Sequence, residues 1–565
     1  MQLLTAAVLA AIASFVTVPT SRANIAPPAP TAPAQSQDQR DWETLESASA
    51  PLQNRVDAAR NLAGRAKKGP EPAKAAARFD DLGGRFTTDA QLRRILADCI
   101  ALCDSPDTQK MLAKSMLAGQ EFEKLFRLRA AHDCAPGIVD DSALKLLSDK
   151  DGAVRREALT VLVNHKHMPV LKNLEAILKA GKDEFLLAPA VDAMSVLIGD
   201  GEGSSAWETQ LLAYAVSPND ELRRASLAVL ARKQDAARLE LFLATLRHPD
   251  WSSRAIALAW LVRSNSKEAV TAIIECFRAE TPGSRLAAEC GDTLRRMTNQ
   301  PLQDDPEAWA TWWTNVRSTF EFPKYSGPRT GGVKRPPAHS GTKAPQYYGI
   351  EVQSQRVVFV IDVSGSMTDS MAGSTDQGTP RIQVAQRELI KIIEALPPGS
   401  RFNVISFNDA VVPWLDNVDE SVEVATGGKG GQRKGPATGP ATGPRKEDKR
   451  DEKTRARDAE KQKEADDLLR KKASEYVSRL NAAGGTNIHD AFEEAFTDPS
   501  VDTIFFLSDG MPSTGREVDP EAIRAVVKGW NDTRRLKINC IALGMDLPLL
   551  KWIAGDAGGE YKFFP

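Results

Sequence analysis

From Trp42 to Phe320 the apolar positions recur at helical spacing in runs of 10–16 residues, separated by short polar breaks. The breaks carry helix-start residues: SDKDG at 148–152, SPND at 217–220 and HPD at 248–250. Beneath this lies a longer period. Leu162, Leu197, Leu230, Leu261 and Leu294 recur every 31–35 residues, each preceded four positions earlier by a small residue: Ala158, Ala193, Ser226, Ala257 and Cys290. Residues four apart lie one turn apart on a helix. Each pair therefore faces the same neighbour, and its small member lets two helices approach closely. The spacing predicts an all-α solenoid over residues 42–320, with an irregular helical bundle as the alternative.

Three copies add an arginine seven positions before the leucine: Arg155, Arg223 and Arg254. The pattern resembles HEAT-type repeats, and the resemblance implies that these arginines tie one repeat to the next. The copies at Ala190 and Ala287 lack the arginine, and upstream of residue 130 the register is not visible. A stacked array exposes an extended concave face, suited to a second protein or peptide partner. Trp309, Trp312 and Trp313, within one turn near the end of this half, read as a hydrophobic cap on the last repeat.

Residues 321–346 are rich in Pro and Gly, with five Lys or Arg and one Glu, and mark a domain boundary. Beyond it the pattern changes. VVFVID (357–362), RFNVISF (401–407), VVPWL (411–415), TIFFLSDG (503–510), INCIALG (538–544) and EYKFF (560–564) read as strands. Amphipathic helices are predicted at about 381–396, 519–535 and 548–556. Strands alternating with helices predict an α/β Rossmann-like fold over 347–565, with a mostly parallel sheet covered on both faces.

In such a sheet, ligands bind beyond the carboxyl ends of the strands. Asp362 and Asp509 sit at two of those ends, Ser364 and Ser366 follow in the first loop, and Thr486 comes from GGTN (484–487) ahead of a helix. Two carboxylates and three hydroxyls form an all-oxygen set that suits a hard divalent cation, Mg²⁺ or alternatively Mn²⁺ or Ca²⁺. Without a cation or basic partner the two carboxylates would repel, so a metal accounts for their pairing. These five residues, the DxSxS loop, the Thr and the Asp, resemble the metal-ion-dependent adhesion site of the von Willebrand factor type A family. The resemblance covers about 210 residues. It implies that Ser364, Ser366 and Thr486 ligate directly, that Asp362 and Asp509 act directly or through water, and that one position stays open for a partner's acidic residue. His489 reads as a first-turn helix residue rather than a ligand. The loop from Thr368 to Pro380, with Asp369 and Asp376, reads as a partner-specificity loop or plain surface.

Residues 424–467 leave globular composition: a Gly/Pro tract with a tandem ATGP, then a run dense in both charges. Acid-first pairs such as Asp451–Arg455 and Asp466–Arg470 favour helix, and an apolar stripe (Leu469, Ala473, Tyr476, Val477, Leu480) predicts docking only from about residue 466. The insertion is expected to begin at the pole opposite the metal, with the helix climbing back to deliver Thr486. No helix follows the EYKFF strand here, whereas the resemblance implies a final helix that reports ligand binding, so that signalling is not expected. Tyr347, Tyr348, Ile350 and Val352 either cover part of the sheet in its place or simply extend the first strand.

Composition narrows the function. With 42% apolar and 26% charged residues, and 73 basic against 75 acidic side chains, the chain is globular and not a dedicated nucleic-acid binder. Residues 1–23 read as a cleaved signal peptide, with Ser21 and Ala23 in small-x-small spacing, and 24–41 as a Pro-rich spacer. An exported protein with no membrane span after cleavage is expected. Its six cysteines, lacking any CxxC or Cys/His cluster, read as reduced core rather than a disulfide framework or a metal site. Together these readings point to an exported adhesion or scaffold protein that captures a protein partner's exposed Asp or Glu, and not to an enzyme. The alternatives are a Mg²⁺-dependent aspartyl-phosphate hydrolase and an adaptor of an ATPase complex. Against the first, such hydrolases usually carry an acid/base Asp two positions on, where Ser364 stands.

Overall fold

A computed structural model describes residues 36–85, 90–183, 185–233, 235–323, 345–372, 377–415 and 452–565. The expected signal segment lies outside them, as do Asp376, most of the 321–346 linker and the Gly/Pro tract of the insertion. Among the described residues no helix is long and apolar enough to cross a membrane.

The amino-terminal half is an α-solenoid of two helical rows. One row holds α1 (Gln37–Glu46), α3 (Pro72–Arg85), α5 (Pro106–Ser115), α7 (Ile138–Leu146), α9 (Val170–Ala180), α11 (Ser204–Tyr214), α13 (Leu239–Thr245), α15 (Lys267–Ala279) and α17 (Pro306–Val316). The other holds α2 (Leu52–Ala66), α4 (Ala90–Leu102), α6 (Glu121–His132), α8 (Gly152–Asn164), α10 (Leu187–Ile198), α12 (Asp220–Arg232), α14 (Trp251–Leu261) and α16 (Arg285–Thr298), each packed on the next. The five repeating leucines all fall in this second row. Four are fully buried and Leu197 partly so, and every small partner is buried.

The three repeat arginines act alike. Arg155, Arg223 and Arg254 each donate from Nη1 to the carbonyl six residues back, at Asp149 (2.8 Å), Ser217 (3.0 Å) and His248 (2.7 Å). Each also reaches an acid ahead of the next even-row helix: Asp183 at 2.8 Å, Asp250 at 3.4 Å and Glu280 at 2.9 Å. The stack continues upstream, where Arg55, Ala58 and Leu62 on α2 repeat the same spacing and are all buried. The register vanished from view between there and residue 130 because α4 and α6 carry no small–leucine pair at that spacing. The solenoid also starts earlier than the expected boundary at residue 42. Ser36 accepts the Gln39 N–H at 3.2 Å and caps α1, so the polar QDQRD run is helix rather than spacer, exposed over its first four residues and buried at Asp41. At the far end Trp309 and Trp313 are the buried residues of α17 and donate through their indole N–H groups to Gln303 O and Thr271 Oγ1, both at 2.9 Å, as a cap should.

The carboxy-terminal half is an α/β unit. Its sheet runs β5 (Val411–Pro413), β4 (Arg401–Phe407), β3 (Arg356–Asp362), β6 (Thr503–Ser508), β7 (Lys537–Leu543) and β8 (Tyr561–Phe564), all parallel except β5. Alternation along β3 sends Val358 and Val360 to one face and Val357, Phe359 and Ile361 to the other. The second of these faces is covered by α18 (Arg381–Ala395), by α19 (Glu452–Ser478) and by a hairpin of β1 (Gln346–Tyr347) and β2 (Ile350–Glu351). The arm before β3 therefore does not extend that strand. Tyr347 is buried with its ring 5.4 Å from Phe359 and 5.7 Å from Phe505. The helix after the insertion docks where its apolar stripe begins: Asp466 accepts Gly399 N–H at 2.6 Å and Arg470 donates to Pro397 O at 3.0 Å. Those partners precede β4, at the pole opposite the candidate site, so α19 climbs towards the site as expected.

The first face carries α20 (Ile488–Ala495), α21 (Pro520–Arg534) and α22 (Pro548–Asp556), and beyond them lies the solenoid itself. Arg94 on α4 pairs with Asp519, Arg129 on α6 with Glu517 at 2.7 Å, Arg156 on α8 with Glu493 at 3.6 Å and Arg232 on α12 with Asp532 at 3.1 Å. On α14 and α16, Ser252 and Arg285 donate to the carbonyls of Arg534 (3.1 Å) and Asp502 (3.0 Å). The even row is thus met from α4 to α16 by the chain's own α/β unit, where its guanidiniums find complementary carboxylates.

Candidate metal centre

All five predicted residues converge at the carboxyl pole of the sheet. β3 and β6 are parallel neighbours, which brings Asp362 at the end of β3 beside Asp509, the residue that follows β6. The intervening loops are tied by backbone bonds. Val363 N–H reaches Phe407 O at 2.8 Å, Ala483 N–H reaches Val363 O at 2.8 Å, and Gly365 N–H reaches Gly484 O at 2.9 Å. Gly484 takes φ +80°, and a Cβ there would strike the Asp409 carboxylate. Thr486 is fixed by its own backbone, with N–H to Ser513 Oγ at 2.9 Å and carbonyl from Ser513 N–H at 3.0 Å.

Asp362, Ser364, Thr486 and Asp509 are all buried, and Ser366 is partly so. Asp362 accepts Ser364 N–H at 2.7 Å and Ser508 O–H at 2.5 Å on its two oxygens. Burial pushes its carboxyl up to about 6, against the pull of the Ser364 and Ser508 hydrogen bonds and with the help of the Asp509 charge. Ser364 Oγ lies 3.1 Å from Ser366 Oγ, and Ser366 O–H donates to Asp509 Oδ1 at 2.7 Å. A Cβ at Gly510 would stand 3.5 Å from Thr486 Oγ1 and 3.6 Å from Ser366 Oγ, so the backbone after Asp509 passes close beside both hydroxyls. Oxygen-only donors and two buried carboxylates fit a hard divalent cation.

Two neighbours escaped the sequence reading. Ser508 is a polar residue closing a wholly buried apolar strand, which was its available signal. Arg381 donates from Nη1 to Asp509 Oδ2 at 2.7 Å. It stands at the first position of α18, where a positive charge opposes the helix dipole and calls for a specific anionic partner. The carboxylates thus have a basic partner, and repulsion between them no longer requires a metal to account for their pairing; what speaks for a cation is the oxygen-only donor set and the one negative charge that Arg381 leaves unbalanced. His489 is buried in the first turn of α20, bonded to Asp490 at 2.7 Å and edge-on to Trp530, and is not among the converging oxygens. All six cysteines are free and buried, as expected.

Two family profiles of the von Willebrand factor type A domain match this half, over residues 357–426 and 456–563. The insertion separates the two stretches, and strands from both build the one six-stranded sheet. Among curated relatives, mouse inter alpha-trypsin inhibitor heavy chain 4 is 26% identical over 224 residues, covering 37% of this chain and 18% of the relative. Human inter-alpha-trypsin inhibitor heavy chain H4 is 27% identical over 230 residues, with 37% and 18% covered. The chain thus spans about a fifth of the length of these relatives. A solved complex of CpcE and CpcF of phycocyanin lyase from Nostoc aligns at 14% identity over 49% of this chain and 98% of that one, with a TM-score of 0.22, too low to carry an argument.

Proposed function

We propose that this is an exported, metal-dependent protein-binding protein. Its type A unit holds Mg²⁺, with Mn²⁺ or Ca²⁺ as alternatives, between Asp362, Ser364, Ser366, Thr486 and Asp509, and captures a carboxylate of a protein partner. The observation that carries this reading is the convergence of two buried carboxylates and three hydroxyls from separate segments at the carboxyl pole of the sheet. The type A matches and the heavy-chain relatives support a protein-binding role. The cation, when bound, supplies a positively charged position open to an anionic oxygen. The protein's own part is to hold the donors still: Ser508 and Ser364 N–H fix the Asp362 carboxylate, Ser366 and Arg381 fix Asp509, and Ser513 fixes the Thr486 backbone.

Binding is favoured over phosphoryl transfer. Ser364 stands where a proton carrier would be needed, and its hydroxyl is engaged with Ser366 at 3.1 Å. Calorimetric titration of the full chain with Mg²⁺ tests the site. Asp362→Ala is expected to weaken affinity about a hundredfold or more, since it removes charge and orientation together. An unchanged affinity would sink the assignment. Pull-downs with and without chelator identify the partner, and fractionation of the native cells tests export.

A further inference from the structure

Arg381 occupies a place cut to its shape. Gly544, at the end of β7, takes φ +70°, and a Cβ built there would fall inside the Arg381 guanidinium. Any other residue at 544 would evict the side chain. The guanidinium lies between that glycine and the fully buried Asp509 carboxylate at 2.7 Å, with the Ser366 carbonyl at 3.5 Å and the Asp369 carboxylate at 3.7 Å. Arg381 is itself mostly buried, and its Nε has no partner among the described residues. A buried donor left unpaired costs free energy. The arginine is held at this spot by the space that Gly544 leaves and by its ion pair with Asp509.

Resting on the metal reading above, we propose that Arg381 is a positioning residue that sets the net charge of the cation site and so its preference for an anionic partner. Two carboxylates balance one dication. A permanent guanidinium on the second carboxylate leaves a positive charge in excess, in a buried setting where it is poorly screened. That excess weakens the hold on the cation and strengthens the pull on a partner carboxylate. Asp369, exposed and beside the same guanidinium, offsets part of it at the rim.

The test is Mg²⁺ calorimetry on the full chain for wild type, Arg381→Gln, Arg381→Lys and Gly544→Ala, with and without acetate as the carboxylate probe. Arg381→Gln is expected to bind Mg²⁺ about tenfold more tightly, because a like charge near the cation is gone. Acetate should raise the apparent Mg²⁺ affinity of wild type more than that of Arg381→Gln. Arg381→Lys, which keeps the charge but not the fork, should stay close to wild type. Gly544→Ala, which displaces the guanidinium and leaves Asp509 untouched, should move in the direction of Arg381→Gln and covers the case that the glutamine variant does not fold. If wild type binds Mg²⁺ and neither variant binds it more tightly, the charge-setting role is wrong while the site stands. If wild type binds no Mg²⁺ at all, the metal reading fails and takes this proposal with it.

Discussion

Arg223 and Arg254 in the solenoid are 3% and 4% exposed, and Asp362 and Asp509 at the pole of the sheet are 0% and 1% exposed. Equal burial hides opposite arrangements. Each solenoid guanidinium is answered by carbonyls of its own preceding loop and by an acid of the next repeat, so charge is cancelled where it is buried. At the pole, two carboxylates share hydroxyls and a single guanidinium, and negative charge is left over. Burying charge is expensive in both places. The solenoid offsets that cost internally and gains a fixed repeat-to-repeat geometry. The pole leaves the cost partly uncompensated, and a cation bound there would offset it.

Breaking a solenoid pair should therefore damage stability and leave the site alone. Arg254→Met strips Glu280 of its guanidinium partner at 2.9 Å, with both side chains below 10% exposed. Burial already holds the Glu280 carboxyl above its ordinary range against the pull of Arg254. The expected loss is about 4 kcal/mol of unfolding free energy, by denaturant titration of the full chain. Mg²⁺ affinity of the fraction that remains folded should not change. A loss below about 1 kcal/mol would mean that these arginines are not what joins the repeats.

The same contrast explains what could be read in advance. The repeat showed itself where Arg155, Arg223 and Arg254 stand seven residues before a leucine, because a two-row stack imposes that spacing on size and charge together. It faded at α4 and α6, where Leu92 and Lys124 stand four residues before Leu96 and Leu128 and the packing is met by other combinations. The five oxygen-bearing residues at the pole were legible because chemistry confines such groups to strand ends and to short loop motifs, DxSxS and GGTN here. Arg381 and Ser508 were not read, since their roles depend on which strands become neighbours, a tertiary fact. The docking of the two halves was also hidden. Arg94, Arg129, Arg156 and Arg232 each look like an ordinary solvated helix charge until the opposing carboxylates are in place.

Replacing a site carboxylate should do the reverse of the solenoid change. Asp362→Asn removes a charge whose ionisation burial has pushed up to about 6 from an ordinary 3.8. A carboxyl raised in the folded state binds its proton more tightly there than in the unfolded chain. Its ionised form thus destabilises the fold above pH about 6, and this penalty fades as pH falls towards 4. In chelator at pH 7 the asparagine variant is expected to be more stable than wild type by about 3 kcal/mol, with the gap closing at pH 4. Mg²⁺ should narrow the gap by stabilising wild type alone. A variant less stable than wild type in chelator would show that the Ser508 and Ser364 hydrogen bonds outweigh burial.

The smallest effect is expected between the two halves. Arg232 pairs with Asp532 across the junction at 3.1 Å, but their side chains are 49% and 37% exposed. Water screens such a pair and two long side chains lose freedom in making it, so Arg232→Ala should cost no more than about 0.5 kcal/mol. The junction instead rests on what is buried close by. Ser252, 1% exposed, donates to the Arg534 carbonyl. The Arg534 guanidinium is turned inward onto Phe496 O and Asp498 O at 2.5 and 2.6 Å, and burial lowers its ionisation to about 10. Ser252→Ala leaves that carbonyl without its only side-chain donor among the described residues, and about 1–2 kcal/mol is expected for an orphaned buried acceptor. Melting curves of the two single variants and of the double variant separate these terms. If Arg232→Ala proved the costlier change, the halves would be held mainly by their charged rim. Their association would then weaken steeply with salt, which a buried junction would not do.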